Sequence, residues 1–214
     1  MYKILVIKPN SNEDVTTKLT AIFRDYPKKR KTKVDCISLK QGPFGIETDE
    51  DINNVVPLVL NKIQNKLSSF DAFIIACYSD PGLRESVLVF SAPIYGIHET
   101  TVKYCHHQRK NFGVIALGED SIIRHEKYID KLNLKKFYVG ETSLDIDVDE
   151  AVNGESTMDK ILKASKYLID EKDAQIIILG CAGMARYRDS LEELLGITVL
   201  DPVQASVDYA IMNL

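Results

Sequence analysis

Short runs of aliphatic and β-branched residues recur along the chain and alternate with longer stretches whose apolar positions repeat every three to four residues. The runs are KILVIK, KVDCISL, AFIIAC and APIYGI in the first half, then NFGVIAL, KKFYVGE, QIIILGC and ITVLDP in the second. The spacing between them predicts helices near Val15 to Tyr26, Asp49 to Leu67 and after Pro81, and again near Ser121 to Leu132 and Thr157 to Glu171. Strands alternating with amphipathic helices predict an α/β fold with mostly parallel sheets. IDVDEAVNGES is acidic and turn-rich and reads as a surface loop; PKKRKTK, Pro27 to Lys33, reads as a solvated basic loop.

The second half repeats the first. Cys77 and Cys181 stand 104 positions apart, and about the same offset lays APIYGIHETT on ITVLDPVQAS and KILVIKPNS on FGVIALGED. The expectation is two similar lobes, residues 1–97 with 203–214 and residues 98–202, related by a pseudo-two-fold axis with a ligand cleft between them.

Composition narrows the function classes. A hydrophobic share of 45%, a charged share of 27% and a net charge of -4 describe an ordinary globular chain with no bias toward nucleic acid. The amino-terminal MYKILVIKPNS matches neither a secretory signal nor a membrane span, so the expected location is cytoplasmic, with no membrane partner. Cys36, Cys77, Cys105 and Cys181 are widely spaced and lack C-x-x-C pairing, which argues for free thiols over disulfides or a zinc knuckle.

Ligands of open α/β sheets settle at the carboxyl ends of the strands, and both Cys77 and Cys181 fall there. Each is followed by small or turn residues, Ser79 to Gly82 in one case and Ala182 and Gly183 in the other, which leave backbone N–H groups for a ligand or a thiolate. Taken alone, either cysteine reads first as a small buried hydrophobe, and Cys36 receives that reading outright. Cys105 and His98, seven apart on one helical face, are too few for a metal site. The matching positions of Cys77 and Cys181 in the two repeats favour a device in which two thiols flank one carbon, the arrangement racemisation needs.

IKPNS, GPFGIETDED, DAFIIACYSDPGL, APIYGIHE, IIILGCAGM and VLDPV together resemble the hydantoin racemase group, which includes allantoin racemases, within the aspartate/glutamate racemase superfamily. The resemblance spans essentially the whole chain. Its most specific parts are ACxxDPGL and LGCAGM, because aspartate and glutamate racemases usually carry Asn-Thr and Thr-Glu where this chain has Tyr78-Ser79 and Ala182-Gly183. It implies a cofactor-independent, metal-free enzyme acting on a small molecule, with Cys77 and Cys181 as the acid/base pair, in a homo-oligomer. It also implies that Asn10 and Ser11 hold substrate polar groups, that N–H groups near Ser79, Ala182 and Gly183 meet ring carbonyls, and that Ile46 lines the side-chain pocket. Lys8, Thr48 and Ala116-Leu117 depart from the group's pattern, which leaves the substrate less determined than the chemistry. Two other readings stay open: a superfamily enzyme acting on an open-chain acid, such as an amino-acid racemase or maleate isomerase, and a non-catalytic protein that closes on a small ligand.

Overall fold

The computed structural model describes residues 1–24 and 31–214, and its chain divides into two compact units, Met1–Ile97 with Ala205–Leu214, and His98–Gln204. The first unit holds β1 (Tyr2–Lys8), α1 (Glu13–Phe23), β2 (Thr32–Ser38), α2 (Asp49–Gln64), β3 (Ala72–Ile75), α3 (Leu83–Val89) and β4 (Ile94–Gly96). The second holds most of α4 (Ile97–Gln108), then β5 (Phe112–Ala116), α5 (Glu119–Lys131), β6 (Tyr138–Ser143), α6 (Val148–Asn153), α7 (Thr157–Lys172), β7 (Ile176–Leu179), α8 (Arg188–Leu195) and β8 (Thr198–Leu200). Helix α9 (Pro202–Asn213) begins in the second unit and ends in the first.

Among the described residues there are two four-stranded sheets, ordered β2-β1-β3-β4 and β6-β5-β7-β8, with every pair parallel. The orders coincide when β5 to β8 are laid on β1 to β4. The central strands are buried on both faces, as parallel strands covered by helices must be, which is why they read as unbroken apolar runs. In the first unit Leu5, Ile7, Phe73 and Ile75 pack against Val59 and Ile63 of α2; in the second, Ile115, Ile177 and Leu179 pack against Ile161 and Leu168 of α7.

Local chemistry fixes the helix starts. At α2, Thr48 Oγ1 accepts the Asp51 N–H at 3.1 Å while Asp51 Oδ2 accepts the Thr48 N–H at 2.9 Å, a reciprocal cap. One expectation is corrected. IDVDEAVNGES is not all surface loop: Asp147 caps the short helix α6, and Val148, Ala151 and Val152 recur at helical spacing and bury that face. Of the expected basic loop, Pro27 to Arg30 lie outside the described residues, as do Asp25 and Tyr26 of the first expected helix, while Thr32 and Lys33 belong to strand β2.

Candidate active site

At the end of β1 the chain turns through Pro9, Asn10 and Ser11 and is stitched to the segment that follows β2. Leu39 N–H donates to Lys8 O at 3.0 Å and to Asn10 O at 3.1 Å, and Ser11 N–H donates to Pro43 O at 2.9 Å. Gly42 permits this approach, because a Cβ there would stand 2.5 Å from Pro9 O. The turn leaves Asn10 2% exposed, and its Oδ1 has no hydrogen-bond partner among the described residues. A buried acceptor without a donor is costly. Ser11 and Ile46 are half-buried in the same stitched region.

Beside this turn, β3 runs parallel to β1, with Ile75 opposite Ile7 and Ala76 N–H on Ile7 O at 2.8 Å. Cys77 follows at once, half-buried, and opens a tight turn in which Asp80 N–H returns to Cys77 O at 2.9 Å. Ser79 is half-buried on that turn. Asn10, Ser11, Cys77 and Ser79 therefore follow the carboxyl ends of two neighbouring strands of the first sheet, and Ile46 lies in the segment between β2 and α2.

The second unit builds the same turn on β7. Gly180 N–H donates to Ile115 O at 2.8 Å, and a Cβ on Gly180 would stand 2.7 Å from that oxygen, so glycine lets the chain pass. Cys181 is half-buried, and Met184 N–H returns to its carbonyl at 3.0 Å, matching the Asp80 to Cys77 bond. Gly183 N–H also donates to Cys181 Sγ at 3.4 Å, where the 3₁₀ turn Ala182–Tyr187 begins. Ala182 and Gly183 are themselves buried, and Gly183 lies so near Val152 that a Cβ would meet its Cγ2 at 2.8 Å.

The other two thiols differ. Burial pushes Cys36 up to about 12 despite a hydrogen bond with Thr20, and burial likewise raises Cys105. Both stay protonated at neutral pH. The His98 ring stacks edge-on against His125 at 5.1 Å and Tyr128 at 5.0 Å. Among the described residues no group of three or more His, Cys, Asp or Glu could hold a metal ion.

Sequence reasoning passed over Asp201, at the end of β8. It is 2% exposed, its Oδ1 accepts the Gln204 N–H at 2.7 Å, and its Oδ2 has no partner among the described residues. Burial lifts its pKa to about 7, against the lowering pull of the Gln204 N–H and Arg188. The folded state therefore holds this proton more tightly than the unfolded chain, and stability falls as pH rises from about 4 through about 7. Asp201→Asn keeps an acceptor for the helix start and removes the buried charge. It is expected to flatten that slope and to raise stability at pH 8 by about 1–3 kcal/mol, read from urea unfolding at pH 5 and pH 8. The sequence did carry a signal for the cap: Asp-Pro before an apolar run is a helix-start signature.

Two α/β units with parallel sheets of one strand order, each with a half-buried cysteine just after its third strand in sequence, define a duplicated fold with a thiol at the carboxyl end of each sheet. The chain belongs to the Asp/Glu/Hydantoin racemase family, whose sequence profile matches residues 4–210. It is 31% identical over 210 residues to the hydantoin racemase of Pseudomonas sp. (strain NS671), covering 97% of this chain and 84% of that one. It is 28% identical to the hydantoin racemase of Rhizobium meliloti, covering 97% and 86%. Its fold matches an allantoin racemase from Klebsiella pneumoniae with a TM-score of 0.91 at 23% identity, over 100% of this chain and 87% of the other.

Proposed function

We propose that this protein is a cofactor-independent racemase of 5-substituted hydantoins or allantoin, working through Cys77 and Cys181 as an acid/base pair. The observation that carries the reading is the matched placement of the two thiols. Each is half-buried at the end of its strand, and each opens a turn closed by the N–H three residues on, Asp80 to Cys77 and Met184 to Cys181. The named activity of the hydantoin racemases it resembles agrees with that chemistry.

The hydantoin ring suits these groups. Its chiral Cα–H is next to a carbonyl, so removing the proton gives an enolate whose oxygen charge backbone N–H groups stabilise. One thiolate takes the proton from one face, and the other thiol returns a proton to the opposite face. The Cα–H bond breaks, the electron pair moves into the enolate, and re-protonation regenerates the carbonyl with inverted configuration. In this reading Asn10 Oδ1, buried without a donor among the described residues, accepts a ring N–H. Coupling between the two thiols helps, because ionising one disfavours ionising the other and keeps one base with one acid. The same reading takes the enzyme to be cytoplasmic and homo-oligomeric, with no nucleic-acid or membrane partner.

The deciding assay follows optical rotation of single-enantiomer 5-substituted hydantoins, allantoin, aspartate and glutamate. Decay of a hydantoin or allantoin signal to zero, unaffected by chelators, is the expected result; decay of aspartate or glutamate alone would move the protein to the open-chain reading. In parallel, iodoacetamide at pH 7.5 is expected to label Cys77 and Cys181 and to abolish activity, while the protonated Cys36 and Cys105 remain unlabelled by peptide mass mapping.

A further inference from the structure

The registers of the two sheets set up a residue-by-residue equivalence. Phe73 lies opposite Ile94, and Ile177 lies opposite Val199. Phe73 and Ile177 each precede their cysteine by four residues, so Ile94 corresponds to Val199 and Gly96 to Asp201. Asp201 is a helix cap, its carboxylate holding the Gln204 N–H at the start of α9. Gly96 stands in the same place before α4 and has no side chain to offer.

The gap is filled from elsewhere. A Cβ added to Gly96 would fall on the Asp80 carboxyl group, 2.6 Å from Oδ1 and closer still to Cγ and Oδ2. Asp80 therefore sets its carboxyl group where a side chain at Gly96 would lie, the place the Asp201 carboxyl group takes in the second unit. It is 6% exposed, and it holds φ at +46°, in the left-handed region that costs most residues about 1 kcal/mol or more. Leu83 N–H donates to its carbonyl at 3.1 Å, so the same residue also leads into α3.

We propose that Asp80 is the positioning residue for Cys77: its carboxylate is a borrowed cap at the start of α4, and in that role it pins the thiol-bearing turn to the end of β4. The equivalent of Asp80 after the second cysteine is Met184, which makes the same turn bond but brings no carboxylate. The Gly183 N–H on Cys181 Sγ belongs to that turn. Asp80 therefore acts on the first thiol only. The proposal rests on Cys77 being half of the acid/base pair.

The test moves the carboxylate without removing it. Asp80→Gly suits the left-handed backbone and vacates the space; Asp80→Gly with Gly96→Asp returns a carboxylate to the same place from the helix side. The single variant is expected to lose roughly 10- to 100-fold in kcat with KM little changed, and to melt lower, since misplacing a reacting group by about 1 Å is that damaging. The double variant is expected to regain the melting temperature but not kcat. The rate and pH profile of Cys77 alkylation, read by mass spectrometry, are expected to follow kcat, while those of Cys181 stay unchanged. Recovery of both kcat and Cys77 reactivity in the double variant would reduce Asp80 to a cap, and a double variant melting no higher than the single one would remove the cap. Unaltered kcat and Cys77 reactivity in the single variant would also overturn the proposal. Should Asp80→Gly fail to fold, Gly96→Ala, whose Cβ would displace the Asp80 carboxyl group, carries the test, with unaltered kcat and Cys77 reactivity again overturning it. A wild-type protein that racemises no hydantoin would sink the proposed function alone, because Cys77 alkylation still reads the positioning.

Discussion

Cys77→Ala and Cys181→Ala are each expected to abolish racemisation, with a loss on the order of 10²- to 10⁴-fold or more, the usual weight of a general acid or base. In the two-base mechanism neither thiol substitutes for the other, since each serves one face of the carbon. What survives is more telling than what is lost. In D₂O the remaining thiolate can still remove the Cα hydrogen from its own face and return deuterium there. Each variant is therefore expected to exchange the Cα hydrogen of one enantiomer with retention, and the two variants to prefer opposite hands. Proton NMR of each enantiomer, corrected for exchange without enzyme, reads this directly. Near-normal racemisation in either variant would end the two-base mechanism, whereas a shared enantiomer preference would end only the assignment of one thiol to each face.

Much of this was written locally in the chain. Strands such as AFII and IIIL announce themselves because a parallel strand covered on both faces is a continuous apolar run, and the cysteines at their ends follow from the run stopping. The recurrence of such runs at one offset was legible for the same reason, whereas the strand order was not. What escaped depends on residues far apart in sequence meeting in the fold. The Asp80 carboxyl group is read as part of a polar turn until Gly96, sixteen residues on, is seen to leave room for it. Helix α6 was hidden by its acidic exposed face, Asp149 and Glu150, although Val148, Ala151 and Val152 carried the helical spacing. The meeting of the His98 ring with the neighbouring helix α5 was not legible either.

The residue it meets there, His125, anchors the last expected result. His125 Nδ1 lies 2.8 Å from Glu141 Oε2, with the two side chains 4% and 0% exposed. Burial raises the Glu141 pKa, while the charge and hydrogen bond of His125 and a hydrogen bond from Tyr138 pull it down. His125→Ala removes the main opposing influence and leaves a carboxyl group in the core of the second unit. Breaking a buried pair from one side typically costs about 3–5 kcal/mol, and the lost edge-on contact with His98 is included in that figure. The sign of the pH dependence follows from the raised pKa. A carboxyl group that holds its proton more tightly in the fold loses stability as pH climbs from its unfolded value toward its folded one, by up to about 1.4 kcal/mol per unit. Without His125 the folded value moves higher, so that loss continues over a wider range, and the cost of His125→Ala is greater at pH 8 than at pH 5. Adding Glu141→Gln to His125→Ala takes away the ionisable group and is expected to restore part of the stability at pH 8 and to remove the extra slope. Urea unfolding of the three proteins at both pH values tests this, and a cost for His125→Ala that is the same at pH 5 and pH 8 would show that packing, not charge, is what His125 contributes.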